Sequence, residues 1–344
     1  MDLFQVTERA RRSLGMVVPV YFPQSVPQET QRQFLWATLH GAHHFVRPEH
    51  ILLVVDGVSW VRPAVEEVRR MFAEEAGAGF EVLWLDQNQG KGGAICRAFE
   101  EILRVAEIDR VCIRDDDADH SIYDLPEALL LYERIAQAEE TELIVVNGRR
   151  ANVRRVLGLA RGEFELLMDR VAWETLRFYL ARRGRAPNEQ WFCAYPEPPD
   201  IESGYKLYSR RAATLLVEGL TRAARWDSAV PILRFGVEIV PAVECLVAGG
   251  VLGEIMRTAA EAPPLTTFGR GATLAELFGA EARWLFYRLE IPAQAAGQIL
   301  RNAIARCPLL HLDEGREALA EFYRRALADL AEQPELNLAL PPRF

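Results

Sequence analysis

The chain reads as an α/β protein: a mostly parallel sheet with helices on both faces, followed by a helical region. Three observations carry that reading. Strand-like and helix-like segments alternate from Met16 to Val146, the order that buries a parallel sheet beneath crossover helices. Ile51-Leu52-Leu53-Val54-Val55 is an unbroken apolar run, whereas a half-exposed strand would alternate. The 344 residues, half of them hydrophobic, suffice for one large domain with an appendage or for two domains.

Each element follows from its own residues. Met16-Val17-Val18-Pro19-Val20-Tyr21 is a first strand ending in a loop, and Gln28 to His44 an amphipathic helix. The run at 51–55 is the second strand, stopped by Asp56-Gly57, and Pro63 to Ala76 is helical. Phe80 to Leu85 is the third strand and Gly93 to Val105 the next helix. Arg110 to Ile113 is the fourth strand. Pro126 to Glu139 is helical, with its proline in the first turn, where a missing N–H is harmless. Leu143 to Val146 is the fifth strand. Gly162 to Arg183 is helical and rich in arginine and aromatics, Tyr195-Pro196-Glu197-Pro198-Pro199 breaks the chain, and a second α/β stretch runs through Ile255. Ala262-Pro263-Pro264 begins a linker, and Leu274 to about Glu332 reads helical. There Ala318, Leu319, Phe322, Ala326 and Leu327 form an apolar stripe, suited to packing on the α/β domain, to a homodimer interface or to an acceptor lid. The tail from Pro334 to Phe344 is loosely held. The expected domains are 1–270 and 271–344.

Composition excludes several classes. The net charge of −9 and the pI near 5.4 argue against nucleic-acid binding, which needs a basic face. Arginines do cluster at Arg149, Arg150, Arg154 and Arg155 and at Arg182, Arg183 and Arg185, which suits a phosphate-bearing ligand as well as an ordinary solvated helix. The five dispersed cysteines form no CxxC pair, so neither a disulfide framework nor a zinc site is expected. The start is polar and charged through Arg12, unlike a signal peptide. No apolar run approaches the ~20 residues of a spanning helix. The expectation is a cytoplasmic protein with, at most, peripheral membrane contact.

Arg114-Asp115-Asp116-Asp117-Ala118-Asp119-His120 is the most informative stretch. Four carboxylates crowd the exit of a buried strand, and unpaired charges there are expensive to bury. A divalent cation relieves that cost, and oxygen ligands suit magnesium or manganese. Asp117 and Asp119, two apart, are the candidate ligands; a solvated acidic turn is the plainer alternative. His120 suits the turn's support better than the metal.

Other motifs fall beyond the carboxyl ends of neighbouring strands, where ligands of such sheets bind. Asn88-Gln89-Gly90-Lys91-Gly92-Gly93-Ala94 opens a helix. Its glycines permit close backbone approach, and Lys91 adds charge for a diphosphate; a structural turn is the competing explanation. Asp56 can accept from a base or ribose, or cap a turn. Tyr21 can stack on a base, or be a half-buried strand-end aromatic. Asp200-Ile201-Glu202-Ser203-Gly204-Tyr205-Lys206-Leu207-Tyr208 places two carboxylates before a Ser-Gly turn and a strand. Arg234-Phe235-Gly236-Val237-Glu238 enters an apolar helix, Ile239 to Ala248, and Gly253-Glu254-Ile255 leads toward Thr266-Thr267-Phe268-Gly269-Arg270.

In order, these segments resemble family-2 glycosyltransferases of the GT-A fold, a Rossmann-like, mostly parallel sheet. The nearest branch is that of polyprenyl-phosphate mannose and glucose synthases. Pro19-Val20-Tyr21 resembles the family's opening Pro-x-Tyr, and Asp56-Gly57-Val58-Ser59 its acid-Gly-x-Ser. Asn88 to Ala94 is similar to its Asn-x-Gly-x-Gly-x-Ala loop. Asp117-Ala118-Asp119 matches its Asp-x-Asp signature, Gly148-Arg149-Arg150 resembles its Gly-x-Arg, and Ser203 to Tyr208 closely matches its Ser-Gly-Phe/Tyr-Lys/Arg-Leu-Tyr segment. The likeness covers about residues 14–270. Three departures stand out: one acid at Asp56 where the family has two, no evident acid-Asp pair at the acceptor site, and a helical region at 271–344 in place of membrane helices.

The resemblance implies hexosyl transfer from a nucleotide diphosphate sugar, of the GDP-mannose or UDP- or GDP-glucose type. The acceptor would be a small molecule, phosphorylated or carboxylated, or a lipid phosphate. The nucleotide sugar would be held by Pro19, Tyr21, Asp56, Asn88, Lys91, Gly92, Asp117 and Arg149, with magnesium or manganese on Asp117 and Asp119. Glu238, Asp200 or Glu202 would be the base. Two other classes compete: a sugar nucleotidyltransferase, whose N-terminal Gly-rich loop is missing from Val17 to Pro23, and a catalytically inactive nucleotide-sugar-binding or scaffold protein.

Overall fold

A computed structural model describes residues 3–226, 232–257, 259, 273–328, 330 and 336. The boundary expected at residue 270, the linker at 262–264, the segment at 266–270 and nearly all of the tail lie outside the described residues.

Among the described residues, seven strands form one sheet in the order β3-β2-β1-β4-β6-β5-β7. They are β1 (Leu14–Val20), β2 (Ile51–Asp56), β3 (Glu81–Leu85), β4 (Arg110–Ile113), β5 (Ile144–Arg150), β6 (Lys206–Ser209) and β7 (Val251–Arg257). All pairings are parallel except those of β6, which runs antiparallel between β4 and β5. The expected mostly parallel sheet is therefore present. Reversal of β6 brings the residues before it, not those after it, to the carboxyl edge.

Period-two alternation sorts the strand side chains onto two faces. Met16, Val18, Leu53, Val55, Cys112 and Val146 pack on one side. Its covering helices are α1 (Leu3–Arg11), α2 (Gln28–Leu39), α3 (Arg62–Ala76) and α5 (Leu125–Glu139). Val17, Leu52, Val54, Val111, Ile113 and Val145 pack on the other. That face is covered by α4 (Lys91–Ile102), α7 (Leu159–Ala181), α8 (Arg210–Ala223) and α10 (Ile239–Val247), with short α6 (Val153–Leu157) leading into α7 and α9 (Ile232–Phe235) lying over the start of α4.

The C-terminal helices α11 (Leu274–Arg288), α12 (Ala293–Ile304) and α13 (Asp313–Ala326) share this second core. Phe164 of α7 stacks on Phe278 at 5.8 Å and meets Phe322 edge-on at 6.0 Å. Burying each such ring contributes about 1.5–3 kcal/mol. Of the apolar stripe, Leu319, Phe322, Ala326 and Leu327 are buried in this core and Ala318 packs against it.

Several expected boundaries shift. The first long helix stops at Leu39, because Gly41 takes φ 73°, and a short 3₁₀ turn at Ala42–His44 follows. The fifth strand runs on to Arg150, paired with β7 as far as Arg257, so Gly148-Arg149-Arg150 lies within it. The polar start forms α1, whose Val6 and Ala10 are buried. Among the described residues no helix is long and apolar enough to cross a membrane.

Candidate functional site

The acid loop leaves β4 at the carboxyl edge and is braced from beneath. Arg114 is wholly buried and donates to the carbonyls of Thr38 and His120. The His120 ring, also buried, accepts the Asp115 N–H at Nδ1 (2.9 Å). Its proton therefore lies on Nε2, 3.8 Å from Asp115 and 3.9 Å from Asp119. Burial and Arg257 push its pKa well below the usual histidine range, so the ring is neutral. His120 thus supports the loop.

The four aspartates are answered unequally. Burial alone would raise Asp115, but the Lys91 ammonium outweighs it and holds the carboxyl well below the usual range. Asp116 accepts the Tyr21 N–H at 2.9 Å, tying the exit of β1 to the loop, yet burial and Asp117 push it well up. Asp117 accepts the Asp119 N–H at 3.1 Å, and burial together with Asp115 raises it to about 6. Asp119 faces the Arg257 guanidinium at 3.4 Å. Between the two, Ala118 is held at φ 62°, a left-handed conformation that L-residues avoid, with its N–H on Thr38.

The Gly-rich loop is a junction. Asp56 accepts from the N–H groups of Gln89 (2.7 Å) and Gly90 (2.9 Å), and burial raises its pKa against them. Its carboxylate thus joins the end of β2 to the loop. Gly57, at φ 68°, lies so close that a Cβ would fall 2.2 Å from the Asn88 nitrogen. Asn88 caps the Gly90 N–H with its side chain and offers its carbonyl to Arg234. Helix α9 covers this turn: a Cβ on Gly92 would come within 2.7 Å of the Leu233 carbonyl oxygen. Lys91 points to carboxylates, 2.8 Å from Asp115 and 2.8 Å from Glu238. Burial opposes its charge, but both partners together raise its pKa. Pro19 is buried in β1 in register with Val54, and Tyr21 is exposed at the rim.

The three base candidates separate. Asp200 receives the Arg150 backbone N–H and both arms of its guanidinium at 2.6–2.9 Å. Arg150 also reaches Glu165 at 2.6 Å. Asp200 is therefore a closed structural pair. Glu202 is buried, and burial and Asp169 push its carboxyl well up. Glu238 stands at the N-cap position of α10, its carboxylate turned to Lys91 at 2.8 Å. Between them Lys206, buried and fastened to the carbonyls of Ile201 and Ser203, is pushed down to about 8 by burial.

The expected arginines turn elsewhere. Arg149 donates to the Pro198 carbonyl at 2.7 Å and faces Glu254 at 3.4 Å, and Arg154 pairs with Glu163. Among the described residues, the guanidinium touching an acid-loop carboxylate is that of Arg257, which sequence reasoning missed. Its signal was a lone basic residue closing a mainly apolar strand, Val251-Leu252-Gly253-Glu254-Ile255-Met256-Arg257.

Asp117 and Asp119 supply only oxygen, the donor type for magnesium or manganese. Among the described residues no group of three or more His, Cys, Asp or Glu could hold a metal by itself. Magnesium commonly takes one or two carboxylates together with substrate phosphates. The all-oxygen pair is compatible in donor type with such an ion, and burial together with Asp115 raises the pKa of Asp117.

No protein-family model and no curated protein matches this chain. Among solved structures it is similar to a CMP:2-keto-3-deoxy-manno-octonic acid synthetase complexed with CTP. The likeness covers 73% of this chain and 94% of that one, at 12% identity and a TM-score of 0.38. That score is too low for the likeness to bear on activity.

Proposed function

We propose that the protein is a nucleotide-sugar-dependent glycosyltransferase of the GT-A type, moving a hexose to a small or phosphate-bearing acceptor. One observation carries the reading most. An oxygen-only acid loop, underneutralised at Asp116 and Asp117, stands at the carboxyl edge beside Glu238, whose carboxylate lies 2.8 Å from Lys91. Asp117 and Asp119 would hold magnesium or manganese, which when bound supplies Lewis-acid neutralisation of the leaving diphosphate. Tyr21, exposed above the Asp116 tie, is the surface on which a base would stack. Glu238 takes the acceptor proton, and Lys91, 2.8 Å away, orients that carboxylate. A phosphate acceptor is already anionic and needs no base.

Sugar nucleotidyl transfer uses the same layout and a nucleotide. Against it, the connection from β1 to α2, Tyr21-Phe22-Pro23-Gln24-Ser25-Val26-Pro27, has neither glycine nor arginine to hold a triphosphate.

A thermal-shift panel tests the proposal with GDP-, UDP-, ADP- and dTDP-sugars and with CTP, each with and without manganese. A manganese-dependent shift with one nucleotide sugar, lost in Asp117→Ala, is the expected result. Hydrolysis or transfer of that sugar then separates an enzyme from a binding protein. A shift with CTP alone, followed by pyrophosphate release with a sugar acid, would replace glycosyl transfer with nucleotidyl transfer.

A further inference from the structure

Glu281 of α11 is 1% exposed, and among the described residues no N–H or O–H group donates to either of its carboxyl oxygens. A buried carboxylate left in that state is costly. Its side chain is aimed at the candidate site: a Cβ on Gly236, two residues before Glu238, would lie 2.8 Å from Glu281 Cγ. Its carboxyl faces that of Glu202, whose Oε1 is likewise buried and without a donor. Two facing carboxyls attract only when one carries a proton, which then bonds them together.

The surrounding charges do not provide another solution. Glu165 and Asp169 of α7 face the pair, and both are acidic. Asp200 is closed by Arg150, and Lys206 of β6 gives its hydrogen bonds to the Ile201 and Ser203 carbonyls. Lys91 is engaged by Asp115 and Glu238. Among the described residues, three carboxyls from three elements therefore meet with one ammonium in direct contact, and that ammonium sits on Glu238.

We infer that the C-terminal helical region completes the candidate site: Glu281 and Glu202 hold one proton between them, leaving Glu238 as the carboxylate that engages Lys91. Glu281 is thus a positioning residue, acting on the acceptor side through its neighbour. The inference rests on the transferase reading for the role of Glu238, but the shared proton does not.

The test is the pH dependence of unfolding, read on the full chain without substrate. A proton held by the folded pair and released on unfolding makes the folding constant fall about tenfold per pH unit as pH rises above the ordinary glutamate range. Glu281→Gln keeps the shape and gives Glu202 an amide donor. The ratio of wild-type to variant folding constants should therefore fall about tenfold per unit between about pH 5.5 and 7.5. Glu202→Gln should give the same loss, and the double variant no further one. Parallel curves for wild type and Glu281→Gln would overturn the shared proton. The second readout is turnover of the nucleotide sugar identified by the panel. Either single variant leaves one negative charge in the pair, so the acid limb of the pH profile should stay in place. The double variant removes it, and the limb should move to lower pH by about one unit; an unmoved limb would overturn the positioning role. A chain that turns over no nucleotide sugar would sink the transferase reading and leave the pair to be judged by its proton count.

Discussion

Asp200 and Asp117 belong to the same edge of the same sheet and carry the same side chain, yet their surroundings treat them oppositely. Asp200 is gripped by Arg150 through two side-chain bonds and one backbone bond, and its pKa is lowered. Asp117 has one backbone N–H and acidic neighbours, and its pKa is raised to about 6. The difference lies in the supply of donors rather than in burial. Where donors are complete the carboxylate is architecture. Where they are short the fold stores negative potential that a ligand can relieve.

The largest effect should come from breaking the complete side. Arg150→Met leaves Asp200 and Glu165 buried without their cation and should cost about 3–5 kcal/mol in urea unfolding. A loss below about 1 kcal/mol would show that the pair does not hold the turn before β6. Asp117→Asn sharpens the other side. It removes a like charge, so the free protein should gain about 1 kcal/mol, while nucleotide-sugar turnover falls at least ~10²-fold. Stability and activity moving down together would remove the contrast drawn here.

Lys206 gives a signed pH test. Its folded pKa is lowered to about 8, whereas the unfolded value is near 10.4. The unfolded chain therefore binds more protons between those values, and stability contributed by this site rises with pH across that window and is flat below it. Unfolding of wild type against Lys206→Met should diverge in favour of wild type from about pH 8 to 10; a constant difference would refute the assignment. The smallest effect belongs to Ala118→Gly. At φ 62°, glycine relieves the left-handed penalty, and a gain of about 0.5–1 kcal/mol replaces the usual loss.

Much of the frame was legible in the sequence, because periodicity and apolar runs are local signals. Ile51–Val55 and Arg110–Ile113 lie within β2 and β4, and the acid loop stands at the carboxyl edge as its position after an apolar run implies. The partners of those residues were not legible. Arg257 meets Asp119 across 138 positions, and Arg150 meets Asp200 across 50. Such pairings are set by how β7 and the turn before β6 dock, which no spacing encodes. Lys91 illustrates the limit: a lysine in a Gly-rich helix entry suggests a phosphate, while the fold directs it to Asp115 and Glu238. Glu281 was missed because an acid within an Ala-rich, charged helix looks solvated until its neighbours are known.

The reversed strand has a consequence for how the chain comes together. β3, β2, β1 and β4 are all complete by Ile113, but the partner of β4 on its other side is β6, which begins at Lys206. As the chain leaves the ribosome, β4 therefore presents an unpaired edge until Lys206–Ser209 have followed. Open edges invite pairing with other chains.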